Sequence, residues 1–370
     1  MDELILIFKY CSSVDHGNIG KVCKLFEVIM EKYFNEMKCR NLLMVSHVKS
    51  FENIFDRTLN SAMKFSERLR LHQNWTFGCC QQIQFFQHRE NYKSHIQMDH
   101  DSLYAASLGE FNIYKRRLKD GIQIEPIFTS GHKNDSIITS LKRNDEMIAG
   151  ARSNGSVFTY TDWEGYNMDF VRDYFDKILD LDFCRDIFVT TSKAGTKFHR
   201  LTMELDLLAF DATNVSLDRG LESINFNPIG DKILGTQGNK FLFLDPGTGL
   251  VSAEHSIKPP QIFNSLWIDN DSFLYTSCNN SLSLIDTRCS YRQQEFSCGN
   301  LTASCIDYDG RFGIIYGTLL GMMLLCDLRK PKTFERIFHL ETATVCRSIK
   351  SDATHLFVST DNAIYLLNFD

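Results

Sequence analysis

The chain has no CxxC pair and no paired Cys/His spacing suited to zinc, although 12 of its 370 residues are cysteine. Only Cys79 and Cys80 are neighbours, and adjacent thiols make poor joint ligands for a tetrahedral ion. With no signal peptide at the start, free buried thiols in a reducing compartment are the expectation. The cytoplasm is the expected location, with the nucleus as a second one. No stretch approaches the ~20 apolar residues that cross a bilayer, so a membrane is not among the expected partners. A formal charge of −6 carries no basic bias, which leaves general nucleic-acid binding without electrostatic support. GxSxG, GxxxxGK[ST], HExxH and a dinucleotide fingerprint after a strand are all missing. The sequence therefore reads as a non-catalytic chain that needs no cofactor and no metal.

Glycine and proline are missing from Lys21 to Phe77, whereas 19 of the 21 glycines and all 6 prolines lie from Gly78 onward. Helix interiors exclude both residues, and tight β-turns need them. The composition thus divides the chain near Trp75–Gly78 into a helical N-terminal portion and an all-β remainder. Three pieces are expected: a helical motif over 1–40, a helical linker over 41–77 and a β domain over 78–370.

The remainder is repetitive. In Ser272–Arg288 the β-rich runs Phe273–Ser277 and Leu282–Asp286 flank Asn279-Asn280, residues that tolerate positive φ, which is a hairpin signal. The turn residues Asn239, Asn280, Gly321 and Asn362 recur every 41 positions, and so do Asp245, Asp286, Asp327 and Asn368. Weaker turns fall at Gly195, Gly155 and Gly109. Seven units of four strands, three of them closing the third strand on Asp245, Asp286 or Asp327, make the pattern of a seven-bladed WD-repeat β-propeller. The last unit has only three strands of its own. Ile83–Gln87 (IQFFQ) is expected to supply its fourth, closing the ring and removing two sheet edges.

In the N-terminal portion, Leu4, Phe8 and Cys11 form one helical stripe and Val22, Phe26, Ile29 and Tyr33 a second. Phe51, Phe55, Leu59, Ala62, Phe65 and Leu69 form a third. Roughly 40 residues of short helices cannot build a core of their own, so they pack on the propeller or await a partner.

DELILIFKYC followed by IGKVCKLFEVIMEK resembles an F-box: an acidic-Leu helix, a polar loop, and Val22-Cys23-Lys24 opening a second helix. ERLRLHQNWTFGCCQQIQFF and DSLYAAS, with the C-terminal THLFVSTDNAIYLLNFD, are similar to F-box/WD-repeat proteins of the dactylin type. The resemblance implies a substrate receptor of an SCF-type cullin-RING ubiquitin ligase. Leu4, Ile5, Phe8, Val22, Cys23 and Phe26 would then dock on the Skp-family adaptor, and the propeller would hold a protein substrate.

Other residues carry weaker signals. Gly131-His132 sits where WD repeats often place Gly-His, which implies a structural histidine that hydrogen-bonds within its blade. Asp245, Asp286 and Asp327 read as turn caps, since no acid/base pair accompanies them. Turns between second and third strands crowd one rim, where Arg152, Lys193, Gln237, Asn279, Leu319 and Asp361 would lie. Of these, Arg152, Lys193 and Asn279 are the candidate substrate contacts. Two cations, set with a carboxylate and neutral groups, do not make the dense arginine cluster that reads phosphorylated motifs. Two other readings stand beside the F-box one. The first is a propeller scaffold with no ubiquitin role. The second is a receptor for a different cullin ligase, acting through Asp286-Thr-Arg288 and Asp327-Leu-Arg329.

Overall fold

The computed structural model of the chain describes residues 18, 22–29, 42–45, 63, 65–87, 94–99, 101–107, 109–117, 121–122, 128–131, 136–144, 147–161, 165–167, 176–204, 207–217, 220–258, 261–278, 280–289, 291–297, 301–341 and 344–370. Seven antiparallel sheets form a ring. The innermost strands are Ser94–Met98, Ile138–Arg143, Ile178–Cys184, Ser223–Phe226, Ile262–Trp267, Ala303–Tyr308 and Cys346–Ser351, which open blades 1 to 7 in chain order.

Burial explains the sequence pattern strand by strand. Second strands such as Ser272–Ser277, Gly313–Thr318 and His355–Thr360 are buried at every residue, because a neighbouring blade covers each face. They therefore read as continuous small or apolar runs rather than as alternation. First strands alternate, as in Ser94–Met98, because one face lines the central channel. The outer strand Val251–Ser256 of blade 4 is almost wholly exposed. Hairpin turns sit where positive φ is available: Asn280 at 59°, Gly321 at 74°, Gly238 at 59° and Gly155 at 85°. Asn279 and His132 lie outside the described residues.

Ring closure runs through the chain's early segment, as the unmatched last blade requires. Gln81–Gln87 pairs antiparallel with Ala363–Asn368, from Gln81 opposite Asn368 to Gln87 opposite Ala363. The closing strand thus begins two residues before the expected Ile83.

The composition boundary at 77/78 is not a packing boundary. Helix α2 (Phe65–Phe77, after α1 at Lys24–Ile29) and the segment Leu42–Val45 share one core with blades 6 and 7. Trp75 is fully buried; its ring stacks on Phe369 at 3.7 Å and meets Phe338 edge-on at 6.0 Å. Its indole N–H donates to the Ala353 carbonyl at 2.8 Å. Leu42–Val45 is a non-helical strap, with Met44 at φ 65° and its amide donating to Asp309 Oδ2 at 2.9 Å. Arg68, itself fully buried, donates to the Val45 carbonyl at 2.9 Å. The third helical stripe survives at Leu69, which is buried; its positions 51–62 lie outside the described residues, as do Leu4, Ile5 and Phe8.

The strap also carries a pH dependence. The Leu43 amide donates to His72 Nδ1 at 3.2 Å, a bond that needs a neutral ring. Burial holds the His72 pKa below its usual value, and the Leu43 carbonyl, Glu335 and Asp327 oppose this without reversing it. A group with a depressed folded pKa contributes stability above its unfolded value of about 6.5 and loses it as pH falls through the folded one. The melting temperature should therefore drop between pH 7 and 5.5 by more in the wild type than in His72→Gln, whose amide cannot titrate. Equal drops would show that His72 has no part in the acid response.

Candidate functional site

Three surfaces can meet another molecule: the exposed face of α1, the rim of second-to-third-strand turns, and the channel. On α1 and the turn that leads into it, the apolar side chains divide. Ile29 is 1% exposed and Phe26 half-buried, while Val22, Leu25 and Val28, three residues apart, are 71%, 50% and 58% exposed. Cys23 beside them is exposed and free. The exposed residues are thus Val22 of the expected line together with Leu25 and Val28, which that line did not include.

On the rim, Arg152 is a correction. It is 2% exposed, and its guanidinium donates to the Gly109 carbonyl at 3.3 Å and to Ser136 Oγ at 3.2 Å, over the Phe158 ring at 5.2 Å. It ties the turn of blade 1 to blade 2 and is not a solvent-facing contact. Lys193 is exposed in the turn before Gly195. Gln237 donates to the Gly220 carbonyl at 3.2 Å, and Asp361 accepts from Arg347 at 2.5 Å. Leu319 and Leu320, 39% and 58% exposed, give blade 6 an apolar turn.

The opposite face holds the Asp-x-Arg turns. Asp286 accepts from the Arg288 amide at 2.9 Å and from its guanidinium at 2.9 and 2.5 Å. Asp327 repeats the arrangement with Arg329 at 2.9, 2.8 and 2.6 Å. Burial works to raise the Asp327 pKa, but Arg329 outweighs it and holds the carboxyl below the usual range. Arg329 also lies 4.3 Å over the Phe312 ring. Asp245 caps its turn through the Thr248 hydroxyl at 2.8 Å and amide at 2.7 Å.

The channel is a cavity of about 740 Å³ lined by all seven inner strands. Its charged groups bond across blades. Lys142 of blade 2 donates to Asn225 Oδ1 at 2.7 Å and the Ile224 carbonyl at 3.3 Å, both of blade 4. Asp180 accepts from Ser140 at 2.5 Å and from the Ile224 amide at 3.0 Å; Asp182 accepts from the Phe226 amide at 2.7 Å. Burial works against the Lys142 charge, yet Asp180 and Asp182 together hold its pKa above the usual lysine value. Asp307 of blade 6 accepts from the Ser351 amide of blade 7 at 2.9 Å and is 3.8 Å from Lys350. These groups hold neighbouring blades in register. The Asp180-Leu-Asp182 alternation on a first strand was the available sequence signal for this network. Among the described residues no three His, Cys, Asp or Glu side chains gather as a metal site, and no helix is long and apolar enough to cross a membrane.

No protein-family model matches the chain, and no curated protein does. Among solved structures, the WD40 β-propeller domain of Doa1 is similar, with a TM-score of 0.60 at 11% identity, over 78% of this chain and 97% of that one. The fold is a seven-bladed WD40 propeller.

Proposed function

We propose that the chain is a non-catalytic, protein-binding receptor: α1 docks on the Skp-family adaptor of an SCF-type cullin-RING ubiquitin ligase, and the propeller rim holds a protein substrate. The observation that carries this reading is the Val22/Leu25/Val28 stripe, left in solvent on a segment whose continuation is anchored in the propeller core. Large apolar residues contribute roughly 1.5–3 kcal/mol each when buried, so three of them can anchor an interface. The role in turnover is proximity: the receptor raises the local concentration of substrate lysines near a catalytic subunit.

A binding assay with purified Skp-family adaptor tests it. Val22→Asp/Leu25→Asp should lower adaptor affinity by at least about tenfold, while Arg288→Ala/Arg329→Ala should leave it unchanged. Unchanged adaptor binding by the α1 variant would overturn the assignment. Binding to the large propeller adaptor of the other cullin class, lost in the arginine variant, would favour the Asp-x-Arg reading instead.

A further inference from the structure

The turn between the two outer strands of blade 6 lies on the face opposite the rim. It occupies 328–333, between Met322–Asp327 and Phe334–His339. The Thr333 amide donates to the Lys330 carbonyl at 3.3 Å, and Pro331 stands second in that tight turn, where its fixed φ is suited. Over 329–334 every residue but the half-buried Pro331 is exposed.

Thr333 differs from the other hydroxyls at the surface. Among the described side chains, the exposed serines and threonines are Thr129, Thr248, Ser252, Ser256 and Thr333. The Thr248 hydroxyl donates to Asp245 at 2.8 Å, and that of Ser252 to the Phe243 carbonyl at 3.0 Å. Thr129 and Ser256 are held in strand pairings, opposite Asn112 and Lys240, and no lysine or arginine closely precedes either. Thr333 stands just before its strand, and among the described residues its hydroxyl has no hydrogen-bond partner. Arg329, Lys330 and Lys332 all precede it within the same turn.

Cations dominate the wider segment too. Over 327–336 four cations outnumber two carboxylates, in a chain whose formal charge is −6. Both carboxylates are engaged, Asp327 with Arg329 at 2.6 Å and Glu335 with Lys330 at 2.7 Å. Lys332 has no ion-pair partner among the described residues. A kinase selects its substrate partly by charge, and a cleft lined with carboxylates takes cations just before the acceptor. A proline-directed kinase needs proline after the acceptor, where Phe334 stands. An acid-directed one needs a run of carboxylates, and here Glu335 is followed by Arg336.

We propose that Thr333 is a phosphorylation site for a kinase of the basic-directed class, with ATP as the phosphoryl donor. The Thr333 Oγ attacks the γ-phosphorus as the bond to the β–γ bridging oxygen breaks. ADP leaves, and the hydroxyl proton passes to the carboxylate base of the kinase. A backbone bond of 3.3 Å closes the turn, so the segment straightens into a cleft at little cost. The phosphate carries a charge of about −1.5 to −2 at neutral pH, which offsets the local excess of cations. Its oxygens draw Lys330 from Glu335 and pair with Lys332. The site depends on neither the adaptor reading of α1 nor the rim.

Incubation of the full chain with ATP and the catalytic subunit of the cyclic-AMP-dependent kinase, a basic-directed probe, provides the test. Mass mapping of peptides locates the phosphate. Thr333 should be phosphorylated in the folded chain, and Thr333→Val should remove that phosphopeptide at an unchanged melting temperature. Lys330→Ala/Lys332→Ala should lower kcat/KM at Thr333 by at least about tenfold. Acid-directed and proline-directed kinases should leave Thr333 unmodified. In the product, the phosphorus NMR signal should titrate below the usual midpoint of about 6 and move up in Lys330→Ala. No phosphate at Thr333, phosphate there only after denaturation, or equal rates on the double lysine variant would overturn the proposal. So would modification of Thr333 by the acid-directed kinase alone. A midpoint unmoved by Lys330→Ala would overturn the exchange of Lys330 from Glu335 to the phosphate.

Discussion

Alanine at Trp75 is expected to cost about 3–5 kcal/mol of stability. The side chain is fully buried, stacked on Phe369 at 3.7 Å, and its N–H holds the Ala353 carbonyl at 2.8 Å. Truncation would open a large cavity between α2 and blades 6 and 7 and leave the Ala353 carbonyl without its indole donor. The surrounding Leu42–Val45, Leu69 and Leu71 belong to the same core, so the loss extends to the strap. Denaturant titration of Trp75→Ala against Phe77→Ala, an exposed neighbour on the same helix, measures it. The first should shift the midpoint strongly and the second barely. The fragment 78–370 should show a deficit at least as large as that of Trp75→Ala, since it lacks the strap as well. A Trp75→Ala loss below about 1 kcal/mol, the size of an average substitution, would mean that α2 is an attachment and not part of the core.

Lys142→Met should be of similar size, about 3–5 kcal/mol, for an electrostatic reason. The ammonium sits among Asp180, Asp182 and Asn225, and its removal leaves two half-buried carboxylates, side by side on one strand of blade 3, without the cation they share. Burial already raises the Asp182 pKa, with Asp180 adding to it and Lys142 opposing. Without Lys142 the carboxyl would rise further. A raised folded pKa stabilises the fold below the unfolded value of about 3.9 and loses that contribution as pH rises through the folded one. The deficit of Lys142→Met should therefore be largest at neutral pH and shrink towards pH 4. Adding Asp182→Asn should recover part of it at pH 7. A deficit that does not vary with pH would show that packing, not charge, is what Lys142 supplies.

The ring was legible because its turns are local chemistry. A hairpin needs positive φ at one position, so Asn280 and Gly321 repeat at a fixed interval whatever the strands around them do. Closure by the Ile83 region was legible for a similar reason, since a three-stranded last blade leaves a gap that only an early β segment can fill. The N-terminal anchoring was not. Leu42–Val45 has no period, and its bend depends on a non-glycine residue, Met44, in the left-handed region. Glycine scarcity marks where helices stop but says nothing of what they pack against, so 77/78 looked like a boundary. Arg152 was misplaced because an arginine in a turn reads as solvated, and its partners Gly109 and Ser136 are non-local. Lys142 and Asp180 escaped notice for the converse reason: charges on a strand suggest a wet face, and here that face lines the channel.

Closure by Gln81–Gln87 also fixes an order of events during synthesis. A ribosome makes that strand before any blade exists, and its partner, Ala363–Asn368, is made hundreds of residues later. Until then the early strand keeps an unpaired edge, and Trp75 lacks Phe338 and Phe369, which are made hundreds of residues later. Contacts of such long sequence separation fold slowly and leave sticky intermediates. The nascent chain therefore presents both α1 and an open β-edge throughout elongation, and chaperones that shield edges have their longest task here.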